Sequence, residues 1–409
     1  MTGRAVGDVL QPSLDAPLPA RVDVLVAGAG PAGALAAGVL AGGGRDVLMV
    51  DRAAFPRVKV CGEGLTPAAR RILEPLGVWE DLAAVGCPRE RARVFAPSGR
   101  AVIVPGPFLT IPRAELDTRL ARWAVRRGAA FRRAAVRSVE PTAAGVRATL
   151  GDGGRERTVD ARWVVLAVGA ASSLAARLGL VEGTAQAVGL RAYLETEAPV
   201  PAELIGVFTR DLAPGYGWVF PLGEHRCNVG AVAWDNAAGR RGAPVSDRLR
   251  ALAGHPAVRE LFARGRLVGR PRAAQIRSGL RGVRAPAAGA VLAVGDALAA
   301  ALPLTDEGIG KALASGRIAA EAILEAFRSG RDAASIHGER VARELAPVYP
   351  GFLAAERWAT RARLLDLAAW CVERSPRLRA GLGRIVTDER DPRRVFSVRS
   401  VFDGLMRRR

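Results

Sequence analysis

Residues 22–33 read Val-Asp-Val-Leu-Val-Ala-Gly-Ala-Gly-Pro-Ala-Gly, an apolar run that leads into glycines at positions 28, 30 and 33. In this pattern the first glycine permits a tight strand-to-helix turn, the second lets the backbone approach a pyrophosphate, and the third lets helix and strand pack closely. The phosphates then lie at the helix N-terminus, where free N–H groups and the helix dipole favour negative charge. The next apolar run ends at Val50, and Asp51 follows at the spacing of about 20 residues where an acid accepts hydrogen bonds from the adenosine ribose. The stretch therefore predicts a strand–helix–strand unit that binds a dinucleotide.

The uncharged stretch 24–44 is long enough to cross a bilayer, but its composition argues against a membrane span. It is mostly Gly and Ala, and Pro31 between glycines marks a turn. Residues 1–20 are polar and contain proline, and no small-residue cleavage pattern follows the apolar stretch. We therefore expect no signal peptide.

The composition is that of an ordinary globular protein of two or more domains. The net charge of +20 comes almost entirely from arginine, since Lys59 and Lys311 are the only lysines among 60 basic residues. These arginines are scattered and accompany no zinc-ligand spacing, so we expect no nucleic-acid partner. The four cysteines form no Cys-x-x-Cys pair, which favours a reducing, cytoplasmic location over a disulfide framework. The three histidines are too separated to predict a metal site.

An irregular loop, residues 55–65, follows the first unit and contains two cations and one thiol, Arg57, Lys59 and Cys61. Two glycines in this loop would let its backbone press against a flat ligand, with the cations near phosphate. The alternative is a connecting loop with a buried structural cysteine. Thr66-Pro67 then predicts the start of a helix that ends at Gly77.

A second element typical of cofactor sites lies at residues 290–327. An apolar strand, 291–294, ends at Gly295-Asp296, at the edge where ligands of parallel sheets bind. The segment 303–308 then leads into a long helix with a free N-terminus that could stabilise negative charge on a cofactor. A plain strand–turn–helix is the alternative.

The middle of the chain reads mainly as strands. Residues 94–104 alternate around Pro97-Ser98-Gly99 and predict a hairpin, and Pro112 opens an amphipathic helix with Arg113 at its start. Strand-like runs with many aromatic residues occupy 176–280, the candidate substrate domain. Within them Tyr216, Trp218 and Phe220 alternate and so share one face of a strand.

These motifs together resemble those of the geranylgeranyl reductase family of flavoproteins, which share the FAD-binding fold of para-hydroxybenzoate hydroxylase. The resemblance covers most of residues 20–330 and rests on residues 28–33, 59–65 and 295–309. Its most specific part, residues 214–221, reads Pro-Gly-Tyr-Gly-Trp-Val-Phe-Pro and looks like the family's Tyr-x-Trp-x-Phe-Pro segment. In the family that segment is a strand of the substrate cavity. Core packing in a sheet is the alternative for the segment alone.

The resemblance implies an α/β fold with a Rossmann-like FAD-binding domain, an inserted antiparallel β-sheet substrate domain and a C-terminal helical region. The FAD-binding domain would be discontinuous, and the expected boundaries are 20–90, 110–175 and 281–330 for that domain, 91–109 and 176–280 for the substrate-binding domain, and 331–409 for the helical region.

The resemblance also assigns residues to FAD. The turn would hold the pyrophosphate, Asp51 the adenosine ribose, the 61–64 loop the flavin, and the 308–309 amides its pyrimidine edge. The implied cofactor-binding residues are Gly28, Gly30, Ala32, Gly33, Asp51, Arg52, Cys61, Gly62, Gly64, Arg113, Val136, Asp296, Gly308 and Ile309. One departure is Asp306, which stands where the family usually has Gly and would add negative charge close to the flavin carbonyls.

The implied function is reduction of carbon–carbon double bonds in an isoprenoid or similar apolar substrate, by hydride transfer from flavin N5 and protonation of the neighbouring carbon. Tyr216, Trp218 and Phe220 would contact the substrate, and Cys61, Tyr216 or an ordered water would supply the proton. One alternative is an FAD-dependent monooxygenase or halogenase, although the halogenase segment Trp-x-Trp-x-Ile-Pro is absent. Another is a flavin-fold protein that only binds an apolar ligand or a membrane.

Two kinds of partner remain open. No second glycine fingerprint follows, so the reductant is expected to be transiently bound NAD(P)H or a ferredoxin-like protein. The C-terminal tail places Val395, Val398 and Phe402 on one helical face beside arginines. That pattern indicates either a helix docked on its own domain or a peripheral contact with anionic lipid.

Overall fold

The computed structural model describes residues 12–197, 199–234, 244–386 and 392, and the strands within these ranges form two eight-stranded sheets. The strands are β1 Arg21–Ala27, β2 Val47–Asp51, β3 Gly64–Leu65, β4 Cys87–Phe95, β5 Ala101–Thr110, β6 Ala130–Arg133, β7 Ala135–Thr142, β8 Gly145–Asp152, β9 Arg155–Leu166, β10 Ala187–Thr196, β11 Leu204–Val207, β12 Gly215–Pro221, β13 Arg226–Trp234, β14 Gly265–Ile276, β15 Ala287–Ala288 and β16 Val291–Ala293.

Twelve α-helices lie in the same ranges, joined in places by short tighter or wider helical turns. The helices are α1 Pro31–Gly42, α2 Pro67–Leu73, α3 Trp79–Ala83, α4 Arg113–Arg126, α5 Leu174–Arg177, α6 Val245–Ala253, α7 Arg259–Arg264, α8 Ile309–Ser329, α9 Ala333–Arg340, α10 Tyr349–Ala359, α11 Ala362–Arg374 and α12 Pro376–Val386.

The first sheet has the order β15-β16-β9-β1-β2-β6, and its four central pairings are parallel. Strands β7 and β8 continue from β9 as an antiparallel meander. Because β1, β9 and β16 are parallel, their carboxyl ends meet at one edge. This edge brings the glycine turn after β1 close to Gly295, where an added Cβ would lie 3.4 Å from that of Ala32. The predicted strand–helix–strand unit and the predicted α/β fold are confirmed.

Helices α1, α4 and α8 cover one face of this sheet and pack closely through glycines. A Cβ on Gly38 of α1 would lie 2.1 Å from the ring of Trp123 in α4, and one on Gly316 of α8 would lie 2.3 Å from the Ala32 carbonyl oxygen. The small residues of the stretch 24–44 therefore serve helix and sheet packing. Across the described ranges, no helix combines the length and the apolar character that a bilayer span needs.

The second sheet has the order β14-β10-β13-β12-β11-β4-β5-β3. Its pairings are antiparallel as predicted, except that β11 and β4 pair in parallel. The predicted hairpin is confirmed by β4 and β5, joined through Gly99 with a φ of +84°. Strand β3 and the first residues of β4 fall inside the expected 20–90 segment of the FAD-binding domain, so both sheets draw strands from that segment.

A buried arginine sets the start of β12, the strand that carries the aromatic residues. Arg248 of α6 is 1% exposed, and its guanidinium donates to the carbonyl oxygens of Leu212 and Pro214, the latter at 2.5 Å. Burial lowers the pKa of Arg248. Because this side chain holds two carbonyl oxygens just before β12 by hydrogen bonds, it fixes where β12 begins and where Tyr216 lies in the sheet.

The C-terminal helices close against the second sheet and the 299–304 segment. The hydroxyl of Tyr349 in α10 donates to the Ala300 carbonyl at 2.5 Å. Leu382 of α12 packs against the buried cluster of Val104, Phe108 and Leu204. The predicted amphipathic tail, residues 394–409, lies outside the described residues.

Candidate active site

The glycine turn leaves an open space in front of α1. A Cβ on Gly33 would lie 1.8 Å from the Gly28 carbonyl oxygen, and one on Gly28 would lie 2.3 Å from that of Ala167. A Cβ on Gly30 would meet only a terminal nitrogen of Arg57, at 3.3 Å. The fold thus requires glycine at positions 28 and 33. Gly30, by contrast, leaves an open space at the N-terminus of α1, which no side chain caps.

A row of alternating charges runs beside this space. Asp51 accepts from the backbone N–H of Ala29 at 2.9 Å and lies 3.7 Å from Arg57. Arg57 lies 3.1 Å from Asp117, which in turn accepts two hydrogen bonds of 2.8 Å from Arg113. Nε of Arg57 is buried with no hydrogen-bond partner among the described residues. The predicted cationic site near the turn is therefore formed chiefly by Arg57.

Arg113 connects this row to the thiol of the loop. Its side chain is buried, and its guanidinium faces both Asp117 and the sulfur of Cys61. Burial opposes the charge, but these two partners outweigh burial and hold the pKa of Arg113 above its ordinary value. The sulfur of Cys61 also accepts from the Glu63 N–H at 3.3 Å.

The carboxylate of Glu63 fastens the loop to the rest of the site. Glu63 is 1% exposed and has a φ of +65°. One carboxylate oxygen accepts from the Arg113 N–H at 3.0 Å and from the Tyr193 hydroxyl at 2.9 Å. The other accepts from the side-chain amide of Asn228 at 2.9 Å, and a guanidinium nitrogen of Arg191 lies 3.7 Å from the first oxygen. Burial and the charge of Glu63 raise the pKa of Tyr193 to about 12.

Asn228 extends these contacts to the aromatic strand. Its amide nitrogen also donates to the Cys61 carbonyl at 2.8 Å, and its amide oxygen accepts from Nε1 of Trp218 at 2.9 Å. The loop is thereby tied to β10, β12 and β13. Sequence analysis missed Glu63 and Asn228, and the only sequence signal for Glu63 is its place between two glycines.

Tyr216, Trp218 and Phe220 form an aromatic stripe along β12. Neighbouring ring centroids lie 6.2 and 6.4 Å apart, which confirms that the three side chains share one face. A Cβ on Gly62 would lie 3.2 Å from the Phe220 ring, and one on Gly64 would lie 3.5 Å from it. The two glycines therefore let the loop lie directly against the stripe.

A cavity of about 350 Å³ lies between the glycine turn, the 59–66 loop, the stripe and the N-terminus of α8. Much of its remaining lining is apolar, including Val94, Val104, Phe108 and Leu204. Of the predicted site residues, the following line it: Gly30, Ala32, Cys61, Gly62, Gly64, Arg113, Tyr216, Trp218, Phe220, Asp296, Gly308 and Ile309. The other predicted residues, Gly28, Gly33, Asp51, Arg52 and Val136, do not line this cavity.

Two polar contacts lie at the end of the cavity near α8. Lys59 lies 3.4 Å from Asp296. The Tyr216 hydroxyl donates to the Thr305 carbonyl at 2.6 Å. Burial, together with the charges of Asp306 and Cys61, raises the pKa of Tyr216 well above its ordinary value.

Asp306, in the segment before α8, combines an unusual backbone conformation with a half-buried carboxyl group. Its backbone has a φ of +50°, a conformation that glycine adopts without strain. One carboxylate oxygen accepts from Nε1 of Trp234 at 2.9 Å, and the other is buried with no hydrogen-bond partner among the described residues. Burial raises the pKa of Asp306 to about 7. A pKa of about 7 leaves this carboxyl divided between its charged and neutral forms at neutral pH, so the negative charge expected from the sequence stays a prediction.

Comparison with known proteins identifies the family. Residues 21–337 match the family described as FAD binding domain. A menaquinone reductase from Mycolicibacterium smegmatis is 35% identical over 406 residues, which cover 90% of this chain and 93% of that protein. Digeranylgeranylglycerophospholipid reductase 2 from Methanopyrus kandleri is 32% identical over 338 residues, which cover 76% of this chain and 79% of that protein.

Solved structures show the same fold. The crystal structure of a geranylgeranyl bacteriochlorophyll reductase-like protein from Thermoplasma acidophilum has a TM-score of 0.74 and 22% identity, over 95% of this chain and 96% of that one. Flavin-dependent halogenases also share the fold. The family match and the reductase relatives confirm the resemblance predicted from the sequence motifs. The chain therefore belongs to the geranylgeranyl reductase family of FAD-dependent oxidoreductases, with its FAD binding domain at residues 21–337.

Proposed function

We propose that this enzyme reduces carbon–carbon double bonds of an isoprenoid or similarly apolar substrate with electrons from bound FAD. The observation that carries the proposal is the aromatic stripe of Tyr216, Trp218 and Phe220, which faces an apolar cavity bounded by the FAD-binding turn. Aromatic rings and aliphatic side chains along one wall suit an unsaturated hydrocarbon chain. Two relatives above 30% identity, one named for a quinone and one for a geranylgeranyl lipid, support this substrate class.

The residues present fit FAD. We infer that the pyrophosphate occupies the space that Gly30 leaves in front of α1, where free N–H groups and Arg57 favour negative charge. Asp51 would hold the adenosine ribose, and Gly308 and Ile309 would offer backbone N–H groups at the start of α8. When bound, FAD supplies a hydride from N5.

The residues that line the cavity would exclude water, orient the substrate and supply the proton that the second carbon of the double bond receives. The predicted proton sources are Cys61, Tyr216 and an ordered water. Of the two side chains, Tyr216 is the less suited, because its hydroxyl already donates to Thr305 and its pKa is raised. Cys61 lines the cavity on the loop that faces the stripe. We therefore propose Cys61 as the donor to carbon, with packing against the flavin as its alternative role.

The alternative of a monooxygenase or halogenase has less support. Likeness to halogenase structures concerns the fold, whereas the relatives that cover most of the chain are named reductases. A halogenase would also need a halogenating lysine. Lys59, one of the two lysines, is an odd candidate for that role, because it lies 3.4 Å from Asp296. A protein that only binds an apolar ligand would not need a redox cofactor beside its cavity.

Anaerobic turnover tests the proposed function. The FAD-loaded enzyme is incubated without oxygen with a polyprenyl lipid and, in turn, NADH, NADPH or a reduced ferredoxin, and products are analysed by mass spectrometry. We expect a product that carries two additional hydrogen atoms, formed with at least one of these donors. A product that forms only in oxygen, or that gains oxygen or halogen, would contradict the proposal.

Replacement of Cys61 by Ser tests the proton donor. Serine has nearly the same size, so we expect FAD binding to be retained, while the weaker acidity of a hydroxyl should slow reoxidation of the reduced enzyme by substrate in a single turnover. Reoxidation at the wild-type rate would show that Cys61 only packs.

Replacement of Gly30 by Val tests the position of the pyrophosphate. Since a side chain at this position meets only the flexible end of Arg57, we expect a folded protein that does not retain FAD. Gly33→Val is the matched control, and we expect it to unfold the domain because its Cβ would collide with backbone. Full FAD occupancy in the folded Gly30→Val variant would place the site elsewhere.

A further inference from the structure

Asp306 is a protonatable group of the cavity for which the proposed mechanism gives no role. It lines the cavity beside Thr305 and Glu307, two residues before Gly308 at the start of α8. One of its carboxylate oxygens is buried without a hydrogen-bond partner among the described residues. A carboxylate oxygen that is buried without a partner is unfavourable when the group is charged, so this position favours a neutral carboxyl.

The groups that face Asp306 come from several elements. Trp234 of β13 donates to it, and Tyr216 of β12 is close enough for the charge of Asp306 to act on its hydroxyl. Glu356 of α10 and Arg281 also act on Asp306, but they form a hydrogen-bonded ion pair with each other at 2.6 Å. Because that pair largely cancels itself, an ionised Asp306 has no unpaired cation as a partner within the part of the chain that the structure describes.

We propose that Asp306 takes up a proton when the bound FAD is reduced and releases it when the substrate is reduced. The proposal rests on the proposed function. Reduced FAD carries added negative charge, and in an apolar cavity such a charge favours the neutral form of a neighbouring carboxyl. Binding of electrons and binding of this proton are then reciprocally coupled.

The coupled step balances atoms and electrons. Reduction of a double bond breaks one π bond and forms two C–H bonds. The first takes its hydrogen and both electrons from reduced FAD. The second takes a proton from Cys61, the proposed donor, and Asp306 returns a proton to Cys61 and thereby becomes a carboxylate. Asp306 regains a proton from solvent when the external donor, NAD(P)H or a ferredoxin-like protein, next reduces FAD.

The test is the pH dependence of the midpoint potential of bound FAD, measured by spectroelectrochemistry without substrate. Since burial raises the pKa of Asp306 to about 7, we expect the slope of potential against pH to change near neutral pH. On the alkaline side of that change, reduction of FAD in the wild-type enzyme should take up roughly one more proton per electron pair than in Asp306→Asn. The change of slope itself should be absent from Asp306→Asn.

Two further variants keep the test decisive if Asp306→Asn binds FAD poorly. Trp234→Phe removes a hydrogen bond that lowers the pKa of Asp306, so the change of slope should move to higher pH. Glu356→Gln removes a charge that raises this pKa, so the change should move to lower pH. Ser329→Ala, an exposed position at the far end of α8, should leave the change of slope in place.

Identical slopes in wild type and Asp306→Asn would overturn the proposal, as would a change of slope that stays in place in both Trp234→Phe and Glu356→Gln. Because the measurement needs no substrate, its failure is distinguishable from failure of the proposed double-bond reduction.

Discussion

The buried carboxylate of Glu63 is the interaction on which the arrangement of the active site depends. A carboxylate at 1% exposure is costly unless charged or polar donors satisfy it, and its donors here come from α4, β10 and β13. Loss of one hydrogen bond to such a buried charge typically costs about 1.5–3 kcal/mol. The hydrogen bonds that satisfy this one carboxylate thus fix the 61–64 loop against both helix α4 and the second sheet.

The charge row from Asp51 to Arg113 gives this arrangement its second anchor. Arg57 lies between Asp51 and Asp117, so the acid expected at the adenosine ribose and the arginine beside Cys61 belong to one continuous set of ion pairs. Because these partners are already oriented, binding of FAD would need little reorganisation of the turn and the loop. The aromatic stripe then completes the opposite wall of the cavity.

Sequence reasoning reached the parts of this site that have a local pattern. The glycine turn, the start of α8 and the alternation along β12 follow from spacing over a few residues, and the structure confirms them. The contact of Glu63 with Asn228 joins residues 165 positions apart, and that of Asp306 with Trp234 joins residues 72 apart. Such pairs leave no periodicity in the sequence, and the raised pKa of Asp306 follows only from burial in the folded chain.

The most direct test of this account is the dissociation constant of FAD for Glu63→Gln. Glutamine has one accepting oxygen, so in either orientation its amide nitrogen faces the Asn228 amide or the donors from Arg113 and Tyr193, from which it cannot accept. The loop should therefore lose its fixed position while the apolar core stays intact. Since a hydrogen bond to a charged group contributes about 1.5–3 kcal/mol, we predict FAD binding at least about tenfold weaker, with the melting temperature showing a folded protein. An FAD affinity equal to that of the wild type would contradict the central role of Glu63.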